Sequence, residues 1–236
     1  MKRFILFDMG NTLVQYYVRA EFPGILDQAI TGVQEYLRQE SLLNLSAEAI
    51  WQRVEKENHE AKDHAVRPLE ERLIRIFQLD GSAVSSRVVM DMCRCFMKPI
   101  FAVARRYDDV LPVLQELGEG GYRKAIISNT PWGSPANLWR EELNRLGLYD
   151  QVELAVFCRD VGWRKPARQI FDYTLEKLQA EPHDCVFIGD DPRWDLVGPR
   201  AVGIDAILID RRDVLKGTEE EPIKNLYKLL NRLTDY

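Results

Sequence analysis

The chain has 236 residues, 46% of them hydrophobic and 29% charged, the balance of a soluble globular protein long enough to bury a sizeable core, which excludes intrinsic disorder, collagen and coiled coil. Its 32 basic and 37 acidic side chains leave a formal charge of −5, without the cationic footprint of a nucleic-acid binder. Mean hydropathy is −0.30 and no apolar run reaches the length of about 18 residues that a membrane span requires.

Lys2 and Arg3 before Phe4–Phe7 imitate the start of a signal peptide, but Asp8 ends the apolar run too early, so the segment reads as a first strand. Further short runs of strand length are predicted at Ala125–Ile127, Leu154–Phe157, Val186–Ile188 and Ala206–Ile209. Helix-period stretches precede them at Val110–Leu117, Trp139–Leu148, Gln169–Leu178 and Trp194–Val202. Alternating strands and helices predict an α/β fold, a Rossmann-like, doubly wound parallel sheet.

Residues 15–105 break this rhythm and contain no convincing strand. Ile25, Ala29, Val33, Tyr36 and Leu37 share one helical face, and Leu69, Leu73, Ile76 and Phe77 repeat the spacing. Ser46 is placed as an N-cap, with Leu45 and Ile50 as its hydrophobic staple. The segment holds 12 basic and 13 acidic residues, so it offers no cationic surface of its own. It is expected to form an inserted all-helical domain between core segments 1–14 and 106–236. Ile223 to Leu233 carries apolar residues at helical spacing and is expected to close the core, after a solvated Glu219–Glu221 loop.

In such a sheet, ligands collect beyond the carboxyl ends of the strands. The first strand is followed by Asp8, Gly10, Asn11 and Thr12, where a tight turn places a backbone carbonyl near a cation. The second leads to Ser128, Asn129 and Thr130, the third to Lys165, and the fourth to Asp190, Asp191 and Asp195. Asp8 and Asp190 on neighbouring strand ends would repel unless a cation lay between them, and with no His in the set a hard ion such as Mg²⁺ fits best. Ser128, adjacent N–H groups and the Lys165 ammonium complete a pocket for a phosphoryl group.

Four motifs in this order resemble the haloacid dehalogenase-like (HAD) hydrolase superfamily: Asp8-Met9-Gly10-Asn11-Thr12, Ser128, Lys165 before Pro166, and Gly189-Asp190 with Asp195. The resemblance spans nearly the whole chain and implies a helical cap domain at 15–105. It further implies Asp8 as a nucleophile forming an aspartyl-phosphate, and Mg²⁺ held by Asp8, the Gly10 carbonyl, Asp190 and Asp195, with Asp191 as a further ligand. Ser128, the Asn129 N–H and Lys165 would bind the phosphoryl oxygens, and Lys165 would also neutralise Asp8. The expected substrate is a small phosphorylated metabolite, with no nucleic-acid or membrane partner.

At Gly10 the sequence departs from the family, which has there the aspartate that moves a proton to or from the leaving group. Its absence favours leaving groups that need little protonation, such as acyl phosphates and sugar 1-phosphates. Two alternatives share this feature. One is a non-catalytic binding or regulatory module; the other is a metal-independent haloacid dehalogenase, whose Trp-Asp pair resembles Trp194-Asp195 but for which Asp190 is superfluous. Tyr16, Tyr17, Arg19, Phe22, His59, His64 and Arg67 are candidates to reach substrate from the insert, and Trp132 and Trp163 to shape the entrance. The four cysteines, Cys93, Cys95, Cys158 and Cys185, are too scattered for a disulfide framework and predict reduced thiols in the cytoplasm. Nothing in the pattern specifies an oligomeric state.

Overall fold

The computed structural model describes residues 2–18, 20–217 and 221–233. In chain order, β1 (Phe4–Phe7) is followed by β2 (Val14–Gln15), α1 (Phe22–Gln39), α2 (Ala47–Glu57), α3 (Leu69–Phe77), α4 (Ser86–Ala102) and β3 (Arg105–Arg106). Then come α5 (Val110–Glu119), β4 (Arg123–Ser128), α6 (Ala136–Arg145), β5 (Leu154–Phe157), α7 (Cys158–Val161) and α8 (Arg168–Leu178). The chain continues through β6 (Cys185–Gly189), α9 (Val197–Ala201), β7 (Asp205–Leu208) and α10 (Tyr227–Leu233).

All four residues of β1 are buried, as a strand covered on both faces requires. It pairs in parallel with β4 on one side and β6 on the other, in a five-stranded sheet ordered β5-β4-β1-β6-β7. Ile5 and Phe7 point to one face, toward α5, α6 and α10; Phe4 and Leu6 point to the other, toward Ile170, Phe171 and Leu178 of α8. This is the Rossmann-like parallel sheet expected from the sequence. The parallel strands are added outward from β1 first on one side, as β4 and β5, and then on the other, as β6 and β7, so the ends of β1, β4 and β6 open onto one crevice.

Helices α1 to α4 occupy the long connection, with α1 packed on α4, α4 on α3 and α3 on α2. The anticipated faces are buried: Ile25, Ala29, Val33 and Leu37 in α1, and Leu69, Leu73, Ile76 and Phe77 in α3. Tyr36 sits at the edge of its face, its hydroxyl 3.4 Å from the Asp91 carboxylate. Ser46 caps α2 by accepting the Ala49 N–H at 3.2 Å. These side chains belong to the same apolar cluster as one face of the sheet.

Several expectations need correction. Two short strands do flank the helical segment: Val14 pairs with Arg106 and Gln15 with Arg105, antiparallel, and two residues are too few to leave an alternating pattern. The helix expected through Leu148 ends at Arg145, because Gly147 takes φ 70° and turns the chain. The one expected from Trp194 begins instead as a π-turn at Pro192–Leu196 before α9. Ile223 is not helical; it bridges Ile209 beside β7, and α10 starts at Tyr227. Glu219 and Glu220 of the acidic loop lie outside the described residues.

Backbone contacts tie the helical segment to the core: the Val66 N–H donates to Gly162 O at 2.9 Å and the Arg164 N–H to His64 O at 2.9 Å. Beside them Gly133 adopts φ +64°, and a Cβ there would stand 2.2 Å from Arg67 O. Gly133→Ala should therefore cost about 2–3 kcal/mol, through overpacking against backbone and the left-handed conformation, read as a lower urea midpoint at unchanged slope.

Candidate active site

Asp8 follows the last residue of β1, and its N–H donates to Ile188 O of β6 at 2.8 Å, which fixes the carboxylate at the crevice. Its Oδ1 accepts from Lys165 Nζ at 2.6 Å and from Ser128 Oγ at 3.2 Å. No hydrogen bond to its Oδ2 occurs among the described residues. The Lys165 ammonium is buried, 5.0 Å from the Phe187 ring centroid, and also donates to Asp195 Oδ1 at 2.7 Å. Burial alone would lower its pKa, but Asp195 and Asp8 outweigh that and raise it, so the ammonium stays charged.

The side chain of Asn129 has a structural partner, which leaves its backbone N–H as the group expected to meet a phosphoryl oxygen. Its amide clasps the Lys165 backbone, with Oδ1 accepting from the N–H at 2.8 Å and Nδ2 donating to the carbonyl at 3.1 Å. Asp195 is buried in the π-turn and accepts the Asp191 N–H on Oδ2 at 3.1 Å, so both of its oxygens have partners. Gly189 makes room for it, since a Cβ at 189 would lie 2.4 Å from the Asp195 side chain. Asp191 turns to Arg193 instead, accepting from Nη2 at 2.6 Å, and these bonds outweigh burial to hold its carboxyl below the usual range.

Asp190 has no hydrogen bond or ion pair to its side chain among the described residues. One oxygen each of Asp8, Asp190 and Asp195 lie within 4.8 Å of one another. Burial first, then the charges of Asp8 and Asp195, push the Asp190 carboxyl up to about 8. Burial and Asp8 likewise push Asp195 up to about 6 against the pull of Lys165. A divalent cation fits this arrangement, because an unpaired carboxylate beside two others supplies hard oxygen ligands and excess negative charge.

The expected tight turn after β1 is present, but its left-handed residue is Asn11, at φ 54°. Gly10 needs no such freedom: a Cβ there would meet only Tyr16 Cδ2, at 3.9 Å. Thr12 is buried, its hydroxyl without a partner among the described residues. Asp8, Ser128, Asn129, Lys165 and Asp190 line a cleft of about 210 Å³, together with Asn11 and Gly10. Asp191 and Asp195 add to its polar lining, and the rest of the wall is apolar and aromatic: Tyr16, Tyr17, Ile100, Pro131, Trp139 and Trp194.

Of the residues expected from the insert, Tyr16 and Tyr17 reach the cleft, and Phe22 packs against Tyr17 with ring centroids 5.5 Å apart. Arg19 lies outside the described residues. His59 and Arg67 do not line the cleft: the guanidinium of Arg67 binds His59 O at 2.6 Å and Glu57. His64 contributes only its carbonyl, to Arg164. Trp132 is buried on Phe96 rather than placed at the entrance, and Trp163 pairs its backbone with Ala65. Ile100, Pro131 and the lining role of Trp139 and Trp194 were missed; helical periodicity marks Ile100 as buried but not what it faces.

The profile of the haloacid dehalogenase-like hydrolase family matches residues 2–203. The chain thus belongs to the haloacid dehalogenase-like hydrolases, as the four motifs and the sheet had implied. Over 111 residues it is 33% identical to the ribulose-1,5-bisphosphate 5-phosphatase of Halopiger xanaduensis, covering 47% of this chain and 45% of that one. It is 24% identical to the glyceraldehyde 3-phosphate phosphatase of Methanopyrus kandleri over 211 residues, or 89% of this chain and 85% of that one. The match spans about half the length of the first of these and 47% of a second archaeal relative, from Methanothermobacter thermautotrophicus. In fold it is similar to a HAD phosphatase of Thermococcus onnurineus, with a TM-score of 0.68 at 24% identity over 99% of this chain and 98% of that one. It is equally similar to a 2-haloacid dehalogenase of Pseudomonas syringae, with a TM-score of 0.69 at 19% identity over 100% and 99% of the two chains.

The raised Asp190 carboxyl has a consequence in pH. Between its ordinary value of 3.8 and about 8 the folded protein keeps a proton that the unfolded chain has lost. Stability of the cation-free protein should therefore fall as pH rises through this window, since the folded state binds more protons. A cation must displace that proton, so its affinity should grow toward pH 8. Thermal unfolding with EDTA and with Mg²⁺ should show a stabilisation by Mg²⁺ that is larger at about pH 8 than at about pH 6.

Proposed function

We propose that this hydrolase is a Mg²⁺-dependent phosphatase that moves a phosphoryl group from a small metabolite to Asp8 and then to water. The observation that carries this reading is the asymmetry of the Asp8 carboxylate: Oδ1 is held by Lys165 and Ser128, while Oδ2 is unpartnered and faces the cleft beside the unpaired Asp190. The phosphatases among its relatives support the same reaction class.

In the first step Asp8 Oδ2 attacks phosphorus and the ester P–O bond breaks, leaving an acyl phosphate on Asp8. In the second, water attacks that phosphorus, the P–O bond to Asp8 breaks, and inorganic phosphate leaves with the carboxylate restored. Lys165 holds Asp8 in one rotamer and offsets its charge; Ser128 Oγ and the Asn129 N–H are assigned to the phosphoryl oxygens. Asp8, the Gly10 carbonyl and Asp190 would hold Mg²⁺, with Asp195 adding to the set directly or through water. The cation, when bound, offsets negative charge on the transferring group.

Gly10 offers no proton to the leaving alkoxide, so water must supply it, and good leaving groups are favoured. Segments 1–14 and 106–236 are assigned to the catalytic core and 15–105 to a helical cap that covers the substrate; α1 to α4 and the β2–β3 pair at its entry and exit support that division. No helix of the described residues is long and apolar enough to cross a membrane, and the unpaired cysteines suit a reducing cytoplasm. The formal charge of −5 supports a small-molecule partner over a nucleic acid.

Phosphate release should depend on Mg²⁺ across alkyl phosphates, sugar 1-phosphates and acyl phosphates, and should be greatest for the last two. Asp8→Asn should abolish it with the circular dichroism spectrum unchanged; an Asp8→Asn enzyme of unchanged rate would remove Asp8 as nucleophile. Since a Cβ at 10 meets only Tyr16 Cδ2 at 3.9 Å, Gly10→Asp should raise kcat on alkyl phosphates about tenfold or more, part of the ~10²–10⁴ a general acid supplies. Equal gains on acyl phosphates would point away from proton donation.

A further inference from the structure

The cleft divides sharply by chemistry. Its floor, at the ends of β1, β4 and β6, presents Asp8, Ser128 and Asp190; the facing wall is Tyr16, Tyr17, Ile100, Pro131, Trp139 and Trp194. Tyr16 and Trp139 meet edge-on, with centroids 5.8 Å apart, so the wall is a built aromatic surface joining the segment after β2 to α6.

Recognition of a second carboxylate or phosphate on a substrate calls for an arginine or a free ammonium. Among the described residues Lys165 is the one basic side chain that lines the cleft, and it is engaged by Asp8 and Asp195. The arginines nearby are engaged: Arg164 by Thr130 O at 2.9 Å, Arg140 by Asp160 at 2.7 Å, Arg145 by Glu142 at 2.6 Å, and Arg193, stacked on Trp194, by Asp191 at 2.6 Å. The lining carries four carboxylates, Asp8, Asp190, Asp191 and Asp195, and the cations that pair with them, Lys165 and Arg193, are already engaged.

We propose that the leaving group of the substrate is uncharged and bears a flat apolar ring, which seats against Tyr16, Tyr17, Ile100 and Trp139. This rests on the phosphatase reading above and sharpens it to phosphates of neutral, ring-bearing alcohols and acids, turned over fastest where the leaving group is good. The cleft volume of about 210 Å³ lies below the ~300–1,000 Å³ typical of drug-sized ligands, which limits the alcohol to about one ring.

The test compares benzyl phosphate with phosphoglycolate, two alkoxide leaving groups of similar basicity that differ in ring and charge. In the Mg²⁺-loaded wild-type enzyme, kcat/KM for benzyl phosphate should exceed that for phosphoglycolate by about 10- to 100-fold, the discrimination an apolar pocket supplies. Tyr17→Arg, which adds a cation to the wall, should lower KM for phosphoglycolate and narrow the ratio by about tenfold or more. Binding is read separately in the Asp8→Asn protein, where benzyl phosphate should quench tryptophan fluorescence, Trp139→Phe should remove much of that change, and phosphoglycolate should produce little. Phosphoglycolate turned over and bound as well as benzyl phosphate would overturn the proposal while leaving the phosphatase reading intact. Quenching by benzyl phosphate with no turnover of any ester would overturn the phosphatase reading and leave the aromatic site standing; the absence of both would overturn both.

Discussion

The buried ammonium of Lys165 is the constraint on which the site depends. It joins Asp8 at the end of β1 to Asp195 in the π-turn after β6, with donor distances of 2.6 and 2.7 Å. Charge in an apolar interior is costly unless compensated, and the ammonium compensates the two carboxylates it joins. The residues around it keep the ammonium where it is: Asn129 grips its backbone on both sides, Phe187 lies beneath it, and Gly189 leaves the space into which Asp195 folds. One lysine thereby locks three strand ends into a common geometry.

That geometry leaves two oxygen centres unspent. Asp8 Oδ2 and the Asp190 carboxylate have no protein partners among the described residues, and both residues line the cleft, which leaves them available for the nucleophile and cation-ligand roles proposed above. Position 10 is a glycine for no steric reason, since a Cβ there finds only the edge of Tyr16. Packing therefore does not require a glycine there, and the cleft beside it is lined in part by aromatic side chains.

The helical segment is not a detached lid. Its α1 to α4 side chains join the apolar cluster that covers one sheet face, and backbone bonds at Val66 and Arg164, together with the Arg159–Glu70 ion pair at 2.8 Å, fasten its margin to the core. The salt bridges along this seam contribute modestly where exposed. The continuous apolar burial holds the segment against the sheet, and with it Ile100, Tyr16 and Tyr17 in the cleft that Asp8 lines.

The sequence by itself determined the parallel sheet, the helical segment between its first two strands and the order of the four motifs. Each of these is written in local periodicity: runs of four apolar residues for buried strands, an apolar stripe every three to four residues for helices, and polar residues directly after the strands. It also marked Asp8, Ser128, Lys165, Asp190 and Asp195, because strand ends are where such a sheet gathers its ligands. Only the tertiary structure decided what each side chain touches: that the Asn129 side chain clasps Lys165, that Asp191 turns to Arg193, that Trp132 is buried while Trp139 and Trp194 line the cleft, and that His59, His64 and Arg67 stay clear of it. These contacts join residues 30 or more positions apart or depend on a rotamer, and neither is encoded in local pattern. A two-residue strand pair such as β2–β3 lies below the length at which alternation is readable, so its existence is decided by the packing that brings Val14 to Arg106.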